Sequence, residues 1–347
     1  MTGMKVCRGP GRKPSDARGF SLAGGGRCPL NPIKIAARRL ASAMLLMMLA
    51  VVLSGVGLSN VAAAGNDYSF MDPFGFADAR LMGMGYSYVA VWDAPNPLYS
   101  NPASFGLGKD SLVFSLGGGW TDGTDPDSFK FIAVSDVERG AGAGGFAWGG
   151  YQLHEGDTRL SGNTFNYSVG KSLAGWGALG LGLRYLRGDA SEAGGGGGGG
   201  ESVVRWRGLA MDAGVVLKYS AFSLGVIARD VNTTRLAFDD GTTVSVRPSY
   251  SAGLSLRPAS GAVLAFDAHR VGQDDASQEI YTGGFEGWLT PHIALRGGII
   301  LGDGEVPEAR AFTGGIGLRF GDFEMSYALL TSDEQIRRQC ITLTRRF

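Results

Sequence analysis

The sequence predicts an all-β protein, a transmembrane antiparallel barrel of about fourteen strands preceded by a segment that does not alternate. Three observations carry that prediction. Glycine supplies 58 of 347 residues, with 35 aromatic residues and only 18% charged ones, where about 7 per cent glycine and about 25 per cent charge are usual. Most of the chain beyond residue 108 alternates large apolar residues with small or polar ones, in segments of mostly 10 to 13 residues. The chain ends in such a segment, on Phe347. Without a Gly-X-Y period the glycine is not collagenous, and 44% hydrophobic content is too apolar for a disordered chain.

Taken in order, the first element is a leader. Lys34, Arg38 and Arg39 precede an apolar core at about Ala41–Val56, and the small residues Val61-Ala62-Ala63-Ala64 follow before Gly65. This is the layout of a secretory signal peptide cut near Ala64. The core is short for a membrane-spanning helix, which needs about 20 apolar residues, and no cysteine adjoins the cut for a lipid anchor. The 33 residues before Lys34 exceed a normal n-region, so residues 1–64 read as an extension upstream of the true start plus a cleaved leader. Removing them takes away nine Lys/Arg and one Asp. The remainder holds 23 basic and 31 acidic residues, a charge of −8 rather than zero. That excludes nucleic acid as a natural partner. Cys340 alone survives of the three cysteines, so no intrachain disulfide is expected.

Residues 65–108 do not alternate. They contain Ala79-Arg80-Leu81-Met82-Gly83-Met84-Gly85, then Val89-Ala90-Val91, Asp93-Ala94 and Tyr99-Ser100-Asn101-Pro102-Ala103.

The strands follow, over residues 109–347. They are expected near 109–120, 127–136, 141–153, 159–171, 176–187, 203–219, 221–231, 247–257, 261–271, 277–289, 291–302, 309–320, 321–331 and 336–347. In the fifth, Leu179, Leu181, Leu183 and Tyr185 alternate with Gly180, Gly182 and Arg184; in the twelfth, Phe312, Ile316, Leu318 and Phe320 alternate with Thr313, Gly315, Gly317 and Arg319. Successive side chains of a strand point to opposite faces, so each segment has one apolar face and one small or polar face. A tilted strand crosses a bilayer in about 9–11 residues, whereas soluble strands average about 5–6. Connections after even strands are short, as at Tyr219-Ser220-Ala221 and Gly321-Asp322, and those after odd strands are expected to be longer and to face outward, as from Val231 to Arg247. The last strand sets Ile341, Leu343 and Phe347 on one face and Thr342, Thr344 and Arg346 on the other. A terminal aromatic there resembles the signal that hands outer-membrane barrels to their assembly machinery.

The non-alternating segment resembles the N-terminal region of the FadL-like outer-membrane transporters and their PorV/PorQ-like relatives. The matching positions are Ala79, Arg80, Gly83, Met84, Gly85, Val89, Ala90, Val91, Asp93, Ala94, Tyr99, Asn101, Pro102 and Ala103. The resemblance implies that residues 65–108 form a hatch in the lumen. It implies Sec-type export to the outer membrane, with the lipid bilayer and the barrel-assembly machinery as partners. It further implies either uptake of a hydrophobic ligand such as a long-chain fatty acid, or handling of an exported protein in secretion; a structural role is a third reading. In that family ligand leaves through the wall at a kinked third strand. Gly142, Gly144 and Gly145 are the candidates here for such an opening, since strand glycines often mark a bend. The physical reading agrees on the hatch, because fourteen strands enclose a lumen too wide for wall side chains to fill. Arg80, Asp93 and Asn101 are expected to meet inward polar residues: Arg184, Asp212, Arg229, Asp267, His269, Arg296 and Arg319.

Enzyme signatures are lacking. His154, His269 and His292 lie in or beside different strands, and His269 next to Asp267 reads as a polar lining pair. No catalytic group, cofactor or metal is expected. Gly140, Gly142 and Gly145 fit a dinucleotide pattern only by chance, since no helix pattern follows. The Gly194–Gly200 run reads as a flexible outer loop.

Overall fold

The computed structural model describes residues 77–93, 99–108, 112–122, 126–136, 143–155, 158–192, 202–273, 276–302, 310–332 and 335–347. The leader, Gly142 and the Gly194–Gly200 run lie outside the described residues.

Alternation produces strands wherever it was expected. They are β1 (Leu112–Thr121), β2 (Ser128–Asp136), β3 (Ala143–Glu155), β4 (Thr158–Leu173), β5 (Gly177–Glu192), β6 (Ser202–Tyr219) and β7 (Phe222–Arg229). After a small hairpin, β8 (Arg235–Phe238) and β9 (Thr243–Ser245), come β10 (Ser249–Leu256), β11 (Ala262–Gln273), β12 (Ala276–Thr290) and β13 (Ile293–Gly302). The chain finishes with β14 (Arg310–Phe320), β15 (Phe323–Ser332) and β16 (Gln335–Arg346). All strands but β8 and β9 form one antiparallel ring of fourteen. It closes where β1 pairs with β16, through Leu116 opposite Leu343, and Phe347 N–H adds a bond to Leu112 O at 2.9 Å.

The outer wall is apolar. Leu181, Phe266 and Phe312 are 58%, 59% and 64% exposed, and Tyr219, Phe222, Phe320, Phe323 and Phe347 form an aromatic rim at the end with the short turns. In water such a surface is untenable; against lipid it is what a transmembrane barrel requires. Arg345, on the outward face, lays its guanidinium over Phe347 and Phe323 at 4.2 and 5.0 Å from the ring centres.

Two expectations about the connections are corrected. Only two residues separate β3 from β4, β11 from β12, and β15 from β16, whereas six separate β2 from β3. The strands themselves extend outward instead: β4 and β5 have 16 residues and β6 has 18. The stretch from Val231 to Arg247 is also not plain loop. Positive φ at Asp230 and Thr233 turns the chain back on itself. Strand β8 then pairs with the upper part of β6, which β7 is too short to reach, leaving less of that edge unpaired.

The described parts of the non-alternating segment, residues 77–93 and 99–108, lie inside the ring. Helix α1 (Ala79–Gly83) packs on β13 to β16, and a 3-10 turn (Pro102–Leu107) packs on β3 to β6 at the other wall. Both start with a side-chain cap: Asp78 Oδ1 accepts from Leu81 N–H at 2.8 Å, and Asn101 Oδ1 from Ala103 N–H at 3.0 Å. Residues 77–91 are all buried.

Candidate functional site

The lumen is organised by polar side chains of the wall that reach the inner segment at three places. The first is an ion-pair chain under α1. Arg80 donates through Nε and Nη2 to Glu286 at 2.8 and 2.9 Å, and Arg296 donates to the same carboxylate at 2.8 Å. Arg296 continues to Glu324 at 3.0 Å, and Glu324 also receives Arg319 at 2.9 Å and Arg346 at 3.0 Å. Arg80 reaches Asp93 at 3.3 Å, which Arg257 meets at 2.5 Å. Burial raises the Asp93 pKa, but the Arg80 and Arg257 guanidiniums outweigh it and hold the carboxyl below its ordinary range. Asp78, by contrast, is pushed up by burial, against the weaker pull of Leu81 N–H and Arg80.

The second place is a backbone clasp. Asp267 Oδ2 accepts from Tyr88 and Val89 N–H at 2.6 and 2.8 Å. Asn101 donates to Val89 O at 2.9 Å and to Val215 O and Val226 O at 3.1 Å, joining both arms of the inner segment to β6 and β7. His269 is buried beneath Tyr88 and bonds Ser251 at 2.8 Å and Thr282 at 3.4 Å. Asp267 and His269 thus share a face but serve different partners.

The third is a compact cluster higher in the lumen. Arg184 is bidentate to Asp212 at 2.8 and 3.0 Å and reaches Asp230 at 3.0 Å. Arg229 faces Asp212 at 3.7 Å and donates to Tyr88 Oη at 3.1 Å and Tyr99 O at 3.0 Å.

Glycine permits the close seating. A Cβ on Gly284 or Gly298 would run into the backbone of Met84 or Gly85, and Gly85 itself has φ of 62°. Gly83 O accepts from Thr313 at 3.2 Å. Pro102 and Ala103 are buried in the 3-10 turn.

Above the Arg184–Asp212 cluster the inner face turns apolar. Leu186, Trp206, Ala210, Leu236 and Val246 are buried together, with Tyr151, Leu153, Leu160, Phe238 and Val244 packed at their edge. Leu186 and Ala210 lie on the inward face two residues outward of Arg184 and Asp212, and the β8–β9 hairpin completes this wall.

Of the three glycines expected at an opening in strand three, Gly142 lies outside the described residues and the other two are paired on both sides. Gly144 and Gly145 pair with Asp136 and Ser135 of β2 and with Val169 and Ser168 of β4, so the wall is continuous at both. The glycine at 145 serves packing: a Cβ there would come within 2.9 Å of the Phe105 ring and 2.7 Å of Val134 O. Reading the sequence for arginine and aspartate also missed Glu286, Glu324, Asp230 and Arg257. The signal for the two glutamates was present, since Glu286 shares its parity with Thr282, and Glu324 with Ser326 and Ala328, on inward faces.

Comparison with protein-family models and with curated proteins finds no match. Solved structures do match. The toluene transporter TbuX of Ralstonia pickettii superposes with a TM-score of 0.61 at 15% identity, covering 78% of this chain and 98% of that one. The toluene transporter TodX of Pseudomonas putida gives 0.58 at 13%, covering 78% and 96%, and a FadL homologue of Pseudomonas aeruginosa 0.54 at 11%, covering 78% and 98%. The chain therefore has the fold of the FadL-like barrels.

Proposed function

We propose that the protein is an outer-membrane channel that admits hydrophobic small molecules, with residues 65–108 as its hatch. The observation that carries this reading is the apolar cluster of Leu186, Trp206, Ala210, Leu236 and Val246 on the inner wall, just above the Arg184–Asp212 ion pair. Ligand sites for apolar molecules are concave and apolar, with few polar groups to fix orientation. The fold shared with toluene transporters supports the same reading. Beneath the cluster, Arg184 and Arg229 each already face a carboxylate. That floor suits an uncharged ligand such as an alkylbenzene better than a long-chain fatty acid, whose carboxylate needs an unclaimed cation.

The test is uptake. Cells making the barrel should accumulate radiolabelled alkylbenzene faster than cells without it, and palmitate little faster. Ala210→Trp, which sets a bulky ring into that cluster from a wall strand, should remove most of that gain, with heat-modifiable gel mobility reporting that the barrel still folds. Equal alkylbenzene uptake with and without the protein would refute the channel.

A further inference from the structure

We infer that the outward face of β2 to β6, just above the apolar belt, binds the phosphates of a phosphorylated glycolipid in the outer leaflet. The inference rests on the outer-membrane orientation proposed above. Hydrogen-bond register sets one transverse row: Lys130 opposite Gly150, Gly150 opposite Asn163, Asn163 opposite Arg187, and Arg187 opposite Arg207. The next row toward the short turns is Ile132, Trp148, Phe165, Tyr185 and Leu209, which is the top of the lipid-facing surface. Two residues of rise put the cations about 7 Å above those rings, at headgroup depth. Lys130 Nζ and the Arg187 guanidinium lean down over Trp148 and Phe165, 5.8 and 5.9 Å from the ring centres.

Charge is unbalanced here. Arg187 and Arg207 are directly cross-strand, a like-charge pairing that disfavours the sheet unless an anion sits between them. Among the described residues neither they nor Lys130 has an acidic partner. One row higher the charges are matched: Arg205 lies cross-strand from Asp189, which Ser161 also engages at 3.0 Å, so the imbalance belongs to the row of Lys130, Arg187 and Arg207. On the opposite wall, too, outward Arg270 faces Glu279 directly, so the Arg187–Arg207 pairing departs from both. An arginine pair open to the headgroup layer, with aromatic rings below to hold acyl chains, matches a lipid bearing phosphates on its sugar rather than a free anion.

The experiment uses the full chain purified in detergent and native mass spectrometry, titrated with a bisphosphorylated acylated disaccharide and with the same lipid dephosphorylated. The phosphorylated form should bind at least about tenfold more tightly, and Arg187→Gln with Arg207→Gln should erase that preference. The control pair Arg270→Gln with Glu279→Gln should retain it. Equal binding of the two lipids, a preference unchanged in the arginine variant, or displacement of the lipid by millimolar inorganic phosphate would each overturn the inference. Heat-modifiable gel mobility reports that each variant is folded. Alkylbenzene uptake by the arginine variant should match the parent, so failure here and failure of the channel reading are read separately.

Discussion

Replacing Glu286 by Gln tests how the inner segment is held. Its carboxylate is 4% exposed and accepts three charge-assisted hydrogen bonds, two from Arg80 and one from Arg296. Removing one member of a buried pair costs about 3–5 kcal/mol, because the partner stays buried without its counter-charge. Both arginines keep a second anion, Asp93 for Arg80 at 3.3 Å and Glu324 for Arg296 at 3.0 Å, so the low end applies. About 3 kcal/mol less resistance to local opening means exchange faster by about a hundredfold. Amide hydrogen exchange should show this at Met82, Met84 and Gly85, whose N–H groups are hydrogen-bonded, while the strands β3 to β6 on the far wall stay protected. Arg80→Met should do the same, and the double variant should lose less than the sum of the two. Exchange in Glu286→Gln within about threefold of the parent, a change of about 0.7 kcal/mol, would refute the reasoning.

Four further outcomes are expected. Gly298→Ala should disturb the inner segment by about 1–3 kcal/mol through overpacking against Gly85, seen as faster exchange at residues 84–86 in a barrel that still migrates as folded. Asp267→Asn should keep the bonds from Tyr88 and Val89 and cost little, whereas Asp267→Ala leaves two buried N–H groups unmet and should cost about 1–3 kcal/mol by the same exchange measurement. Since the Asp93 carboxyl is held below its usual range, its ion pairs contribute fully above about pH 4 and are lost as pH falls through the lower folded value; protease nicking of the inner segment should rise only on that acidic side. Deleting Phe347, proposed as the assembly signal, removes one seam hydrogen bond to Leu112; the heat-modifiable form should fall sharply in cells, yet detergent refolding of the purified chain should persist.

Much of this protein was legible before any coordinates. All fourteen wall strands follow from a local property, the two-residue period, and their inward residues from the same parity. Arg184, Asp212, Arg229, Asp267, His269 and Arg296 point into the lumen for that reason, and Arg319 lines its short-turn end over Trp288. Where the sequence reading failed, the deciding quantity was not local. Glycine in the third strand reads equally well as a bend or as room for Phe105, and only the register of β2 and β4 with β3 distinguishes them. Hairpin β8–β9 has too little sequence of its own to be recognised; it exists because the upper edge of β6 is open to pairing.

Composition and periodicity alone thus determined a membrane-facing barrel, its strand count and which side chains face inward, because each depends only on neighbours along one chain segment. Partner choice was decided by tertiary structure. Arg80 meets Glu286, separated by 206 positions, and Arg187 stands beside Arg207 with no acid in their row. Such pairings depend on the closure and stagger of the whole sheet, which no single segment encodes.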